Sequence, residues 1–467
     1  MSRLSVRRMF LACIPAAASV VALAAPGAAN ATLLQQCAGE GIAGQGSTLQ
    51  ELAQKKLWDS EAATATDFNG SSSALACSGS QGSHGKPEVK YTGTGSGPGM
   101  ESWYVEEHFG PTNAFIGTDQ PPDKEVKEKI EALGASETLL TIPTLQASVA
   151  IIAHLPAGCT VTGNPTGRLE LTNKELEEIF DAETLKKPIV ALDKWSQLGS
   201  QNALSGSGCK PETEFKRVVR LEGSGTTATL EKYLDLINKK AVVEPGKKTW
   251  KILGEELENT TWPNQTANPV LRGKGSGGLI TEVVNNASTI GYVNLANARG
   301  NAALVEKGEK GLGTGGKGTQ TFWAEIQNNG VGAKAKYADP ATNLDVEAKA
   351  NANCKEEKYT NGKVKFPPAS TTEPWNEVTT KTTQKFYTLC GFTYDLSLSD
   401  FEAYSGHGAT QGEATTAANY LNWVVNDEAG GGQGLLEGND YLPLPSAKAP
   451  KPSVLKIAQE GAALINW

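Results

Sequence analysis

Apolar residues recur along the chain with two periods. At helical spacing, Leu49, Leu52, Ala53 and Leu57 share one face, and Val126, Ile130 and Leu133 line a second that Gly134 closes. Leu230, Tyr233, Leu234 and Ile237 form a third helical face, and Tyr420, Leu421, Val424 and Val425 a late one. Thr172 to Glu175 reads as a capping box ahead of Leu176, Ile179 and Phe180. Between these faces lie short strand-like runs: VKYTGTG from Val89, AFIGTD from Ala114, LTIPTLQASVAIIAH from Leu140, RVVRLEG from Arg217 and TIGYV from Thr289. Strands alternating with helices predict an α/β architecture. Two stretches break the pattern and are expected to be surface insertions. One is the Ser/Gly-rich run from Phe68; the other is the polar region from about 305 to 382, with Phe322, Trp323 and Trp375 as scattered anchors. No internal repeat is present.

The first residues change the picture. Arg3, Arg7 and Arg8 precede an apolar run from Met9 to Ala25, and Ala29-Asn30-Ala31 offers an A-x-A cleavage site. Residues 1–31 are therefore expected to be a signal peptide, by either the twin-arginine or the general export route. Removing them takes away three arginines and no acids, so the net charge goes from −8 to −11. A chain this acidic repels nucleic acid and anionic lipid, so any anion site must be local and built mainly from hydrogen bonds. Six cysteines remain: Cys37, Cys77, Cys159, Cys209, Cys354 and Cys390. An even number in an exported chain predicts three disulfides, with sequential neighbours as the expected pairs. None has C-x-x-C spacing, and the four histidines (His84, His108, His154, His407) are scattered, so no metal or other cofactor is expected. Cys37 follows Gln35-Gln36, where a lipidation site wants small residues, which speaks against an anchor there.

Several Gly-rich turns are candidates for chemistry. GQGSTLQEL from Gly44 places Ser47 and Thr48 before an amphipathic segment, either as a plain N-cap or as an anion-favouring helix start. YTGTGSGPG from Tyr91 brings Ser96 among glycines that let backbone approach a ligand, or is simply a turn. AFIGTDQPPDKE from Ala114 ends a strand at Asp119, which alone reads as an N-cap. RLEGSGTTATL sets Arg220 at a strand end, with Glu222 to steady it and Ser224, Gly225 and Thr226 entering a helix. GKGSGG from Gly273 and GLGTGGKGT from Gly311 are read as loops, since neither shows the strand–turn–helix setting of a nucleotide fingerprint. No serine sits in G-x-S-x-G and no H-E-x-x-H occurs, so nothing argues for catalysis.

The order of these pieces is more specific than any one. GQGSTL, YTGTGS, FIGTDQP, LTIPTLQASVAIIAHLPA, LTNKELEEIF, VVRLEGSGT, GKGSGGLITEVVNNASTIGYV and NDYLPLP follow one another in a way that resembles the substrate-binding proteins of phosphate ABC transporters. The resemblance spans about residues 44–300 and resumes near 383–467. It implies a type II periplasmic-binding-protein fold, with two α/β lobes joined by two strands and the ligand cleft between them. The implied division is residues 32–141 and 383–467 for lobe I and 142–382 for lobe II, which holds the polar insertion. The crossings would fall near Leu140–Thr144 and Lys381–Cys390.

Carried onto this chain, the family's phosphate ligands fall on Thr48, Leu49, Ser96, Asp119, Arg220, Ser224, Gly225 and Thr226, with Glu222 in support. Position 49 is often Phe in the family and Glu222 stands where Asp is common. The resemblance further implies inorganic phosphate as ligand, an ABC transporter membrane permease as partner, a monomer, and a location in the periplasm or at the outer face of the membrane, including a released form. Other readings on the same fold are a receptor for another oxyanion or a phosphate ester, or a secreted phosphatase-like enzyme or adhesin.

Overall fold

The computed structural model describes residues 39–58, 67–68, 87–134, 138–180, 192–238, 243, 248–263, 270–300, 321–327, 337–340, 366–370, 375–376, 378, 387–446 and 452–467. The expected signal peptide, Cys37, Cys77, Cys354 and the GLGTGGKGT segment lie outside them.

A sheet of ten strands organises the described residues. In chain order they are β1 (Ile42–Gly46), β2 (Val89–Gly93), β3 (Phe115–Thr118), β4 (Leu139–His154), β5 (Lys216–Arg220), β6 (Val270–Gly273), β7 (Thr289–Asn294), β8 (Thr321–Trp323), β9 (Cys390–Leu398) and β10 (Tyr441–Leu442). Their order is β2-β1-β3-β9-β4-β7-β5-β6, with β8 and β10 also on β4. β1 pairs in parallel with β2 and β3; β5 pairs in parallel with β6 and β7. The two parallel sets meet through antiparallel pairs, β3–β9, β9–β4 and β4–β7.

β4 explains how one sheet serves two halves. Its sixteen residues, LLTIPTLQASVAIIAH, are buried except the last. A strand covered on both faces reads as a nearly continuous apolar run, which is why the sequence shows no alternation here. It pairs with β9 as far as Ser148 and with β7 from Val149 onward. Pro143 has no N–H for a ladder, and the β4–β9 register shifts beside it, between Thr393 and Tyr394. Thr144 sits at that shift, its hydroxyl 2.9 Å from that of Thr393.

The helices are α1 (Ser96–Tyr104), α2 (Lys124–Gly134), α3 (Asn173–Phe180), α4 (Gly225–Ile237), α5 (Trp250–Glu255), α6 (Gly275–Asn285), α7 (Leu295–Gly300), α8 (Gln411–Val424) and α9 (Val454–Ala462). The α3 capping box forms as expected: Glu175 N–H donates to the Thr172 hydroxyl at 3.1 Å, and Thr172 N–H to the Glu175 carboxylate at 2.8 Å. Three local expectations are corrected. The segment after Thr48 bends through Gln50 and turns helical only at Glu51, opening into a wide π turn over Ala53–Trp58. Asp119 caps no helix; the α2 cap is Asp123, which accepts from Val126 N–H at 2.9 Å. GKGSGG is not a loop: it ends β6 and starts α6.

The polar region also departs from a surface insertion in its described parts. Phe322, Trp323 and Trp375 are fully buried, and β8 pairs with β4. Beside it Arg168, itself buried, bridges Glu325 and Asp339 at 2.6 Å each. Cys159 and Cys209 form a disulfide, one of the expected sequential pairs, and Cys390 is disulfide-bonded as well.

Candidate functional site

The ends of β1, β2, β3, β5 and β6 point to one place. In parallel α/β sheets a ligand crevice lies outside the carboxyl ends of the strands, because chain turns and helix starts leave backbone N–H groups there. Here those ends carry Ser47 and Thr48, Ser96, Asp119, Arg220 to Thr226, and Gly275 and Ser276. The structure brings together every residue expected from sequence, although they come from both parallel sets.

Asp119 lies at the centre, 7% exposed. The Ser47 hydroxyl donates to its Oδ1 in a short hydrogen bond, and the Thr226 hydroxyl lies 3.5 Å from Oδ2. Its own N–H donates to the Ser96 hydroxyl at 3.3 Å. Burial pushes its carboxyl up to about 7, against the pull of the Ser47 bond, the Arg220 charge and the Thr226 bond. Gly225 is what allows this closeness. A Cβ there would stand 2.6 Å from both Asp119 Cβ and Ser96 Oγ, so any side chain would push the two parallel sets apart.

Arg220, 2% exposed, brings the full positive charge. Its Nε donates to Glu222 Oε1 at 2.7 Å, and Nη2 reaches the same oxygen. Nη1 makes no hydrogen bond among the described residues, so its two N–H groups remain as donors for an anion. Glu222 is held in turn by Gly275 N–H, at 3.1 and 3.3 Å from its two oxygens.

Ser224 is the N-cap of α4, its hydroxyl accepting from Thr227 N–H at 3.3 Å. Asn259 fixes Ser224 through two bonds of 2.9 Å, one to its N–H and one to its C=O. The amides of Gly225 and Thr226 fall in the first turn of α4, where no intrahelical carbonyl can reach them. Together with the dipole of this thirteen-residue helix they favour negative charge. Leu49 differs from the expectation that its N–H faces a ligand unaided: that N–H donates to Ser47 Oγ at 3.0 Å. Its carbonyl accepts from Asn294 Nδ2 at 2.6 Å and from the Tyr441 hydroxyl at 2.8 Å.

Sequence reasoning missed Ser47 as a partner of Asp119, and missed Asn259 and Ser276 entirely. Ser47 was visible in GQGSTL. Asn259 lies in a polar stretch with no pattern, and Ser276 lay in a motif set aside for want of a helix. Among the described residues no cluster of His, Cys, Asp or Glu is arranged to hold a metal ion, and no helix is long and apolar enough to cross a membrane.

The arrangement is a cradle of buried hydroxyls and helix-start amides around one guanidinium and one carboxyl on a two-part α/β sheet, and comparison with known proteins shows the superfamily. The model of the PBP superfamily domain matches residues 60–428, and the chain belongs to that superfamily. A curated relative, the phosphate-binding protein PstS of Methanocaldococcus jannaschii, is 27% identical over 227 residues, covering 47% of this chain and 49% of the relative. The chain thus matches about half the length of that relative. Two solved structures share the fold at low identity. A high-affinity periplasmic phosphate-binding protein solved with phosphate (PfluDING) superposes with a TM-score of 0.53 at 17% identity, over 87% of this chain and 91% of its own. A phosphate-binding protein from Stenotrophomonas maltophilia superposes at 0.54 with 16% identity, over 90% and 93%.

Proposed function

We propose that the protein binds inorganic phosphate outside the cytoplasm and hands it to the membrane permease of an ABC importer. One observation carries the reading: a buried arginine held by Glu222 and a buried carboxyl, Asp119, converge on the first turn of α4 from opposite halves of the sheet. Thr48, Ser96, Ser224, Gly225 and Thr226 are the hydroxyl and amide donors around the anion; the Leu49 N–H joins them only by leaving its bond to Ser47 Oγ, and the Arg220 guanidinium neutralises the charge. Asp119 is the selector. An ionised carboxylate only accepts hydrogen bonds, so it pairs with a proton that phosphate still carries and sulfate does not. A buried mismatch of that kind is worth roughly 10⁴–10⁵-fold in sites that read a hydroxyl.

The relatives named above are binding proteins, so we read the chain as a receptor and not an enzyme. In this reading residues 32–141 and 383–467 form one lobe and 142–382 the other, with β4 and β9 as the hinge, and closure over the ion signals occupancy to the permease. The chain acts as an exported monomer. Titration calorimetry at pH 8 tests the proposal: 1:1 phosphate binding with sulfate weaker by at least a thousandfold is expected. No heat with phosphate, or equal affinity for sulfate, would sink it.

A further inference from the structure

The turn Gly273–Ser276 touches both ends of the candidate site. Gly275, at φ 65°, turns β6 into α6 in the left-handed region that glycine adopts without strain. Its N–H enters the Glu222 carboxylate that holds Arg220. The next residue, Ser276, is 2% exposed and places its hydroxyl 2.9 Å from that of Thr48. Thr48 follows β1 and Ser276 opens α6, so this bond joins the two parallel sets of the sheet. A Cβ on Gly275 would lie 3.5 Å from Thr48 Cγ2, so the turn itself rests on Thr48.

A threonine hydroxyl has one proton and two lone pairs. If Thr48 gives its proton to an anion, its bond with Ser276 must be one in which Ser276 donates. We infer that Ser276 is a positioning residue of the binding site: it donates to Thr48 across the cleft, aims the Thr48 proton at the ligand, and so makes that donation depend on closure. This rests on the phosphate-binding reading and extends it, since Ser276 does not itself touch the ion. It also gives the GKGSGG segment one task at each end of the site, steadying Arg220 through Glu222 and orienting Thr48 through Ser276.

The test uses the full chain, inorganic phosphate and stopped-flow binding. Losing one oriented hydrogen bond to a charged ligand corresponds to about tenfold in affinity. Ser276→Ala is expected to speed phosphate dissociation about tenfold and to leave association within about twofold, because the bond exists only when the halves are closed. Ser276→Thr, which keeps the hydroxyl, should restore dissociation to within about threefold of wild type; a role in packing alone would not be rescued by the hydroxyl. In a Thr48→Val background, Ser276→Ala should add less than about twofold. Dissociation unchanged by Ser276→Ala, or effects that simply add to those of Thr48→Val, overturn the inference while the phosphate reading stands. A wild-type protein that binds no phosphate overturns both.

Discussion

At the scale of single residues, the proposed function makes Asp119 the group that decides what the cradle accepts, and its protonation the factor that decides how well. Burial raises its carboxyl to about 7 in the folded chain, above the roughly 3.9 of an unfolded aspartate. Between those values the folded state holds the proton and the unfolded state does not, so its contribution to stability falls as pH rises from about 4 to 7. The same shift predicts a pH-dependent selectivity. Above 7 the ionised carboxylate only accepts, and sulfate meets an unpaired acceptor. Below 7 the protonated acid can donate, and that penalty lessens. The ratio of sulfate to phosphate dissociation constants should therefore shrink by at least tenfold between pH 8 and pH 5, measured by calorimetry in matched buffers. Asp119→Asn should show a small ratio at both pH values. A wild-type ratio that does not move would mean another group does the selecting.

At the scale of elements, α4 joins the site to the body of the molecule and carries an uncompensated group. Its first turn faces the cradle, while Glu231, two turns on, is fully buried with neither carboxyl oxygen hydrogen-bonded among the described residues. Burial, and next the charge of Glu256, push its acid well above the usual range. By the same linkage, Glu231 costs the folded state more as pH rises above the unfolded value of about 4.3. Replacing a buried neutral polar group that lacks a partner recovers about 1–3 kcal/mol. Glu231→Met should therefore raise stability by about that much at pH 5 and by more at pH 8, measured by denaturant unfolding at both. A destabilised variant, or a gain that shrinks toward pH 8, would contradict this account. Elements of this kind were legible in the sequence where period and cap agree. The α4 face, the α3 capping box and the long run of β4 could all be read directly. Starts hidden among glycines were not: Ser96 and Gly275 look like turn residues until their strands are placed in parallel, which no local pattern reports. The cradle residues could be read only through the order of their motifs, because their convergence depends on β1, β3 and β5 ending at one edge.

At the scale of the whole molecule, the charge of the chain opposes the charge of its proposed ligand. The chain carries a net −8, yet in the proposed function the cradle attracts an anion through one buried guanidinium and a set of dipoles. These two forces act over different distances. The field of the scattered surface acids extends through solvent and is screened over about 8 Å at physiological salt. The Arg220 pairing and the amide bonds act at contact, among groups buried from solvent. An approaching phosphate therefore meets repulsion first and attraction last, so the surface charge enters the association rate and the cradle sets the residence time. Raising sodium chloride from about 20 to 300 mM should speed phosphate association roughly two- to threefold and leave dissociation within experimental error, a pattern opposite to that of a cation-lined receptor. Stopped-flow traces at a series of salt concentrations measure both rates. Association that slows with salt would place a positive field at the mouth of the cleft and would require that the anion be drawn in by surface charge, not by the groups at the strand ends.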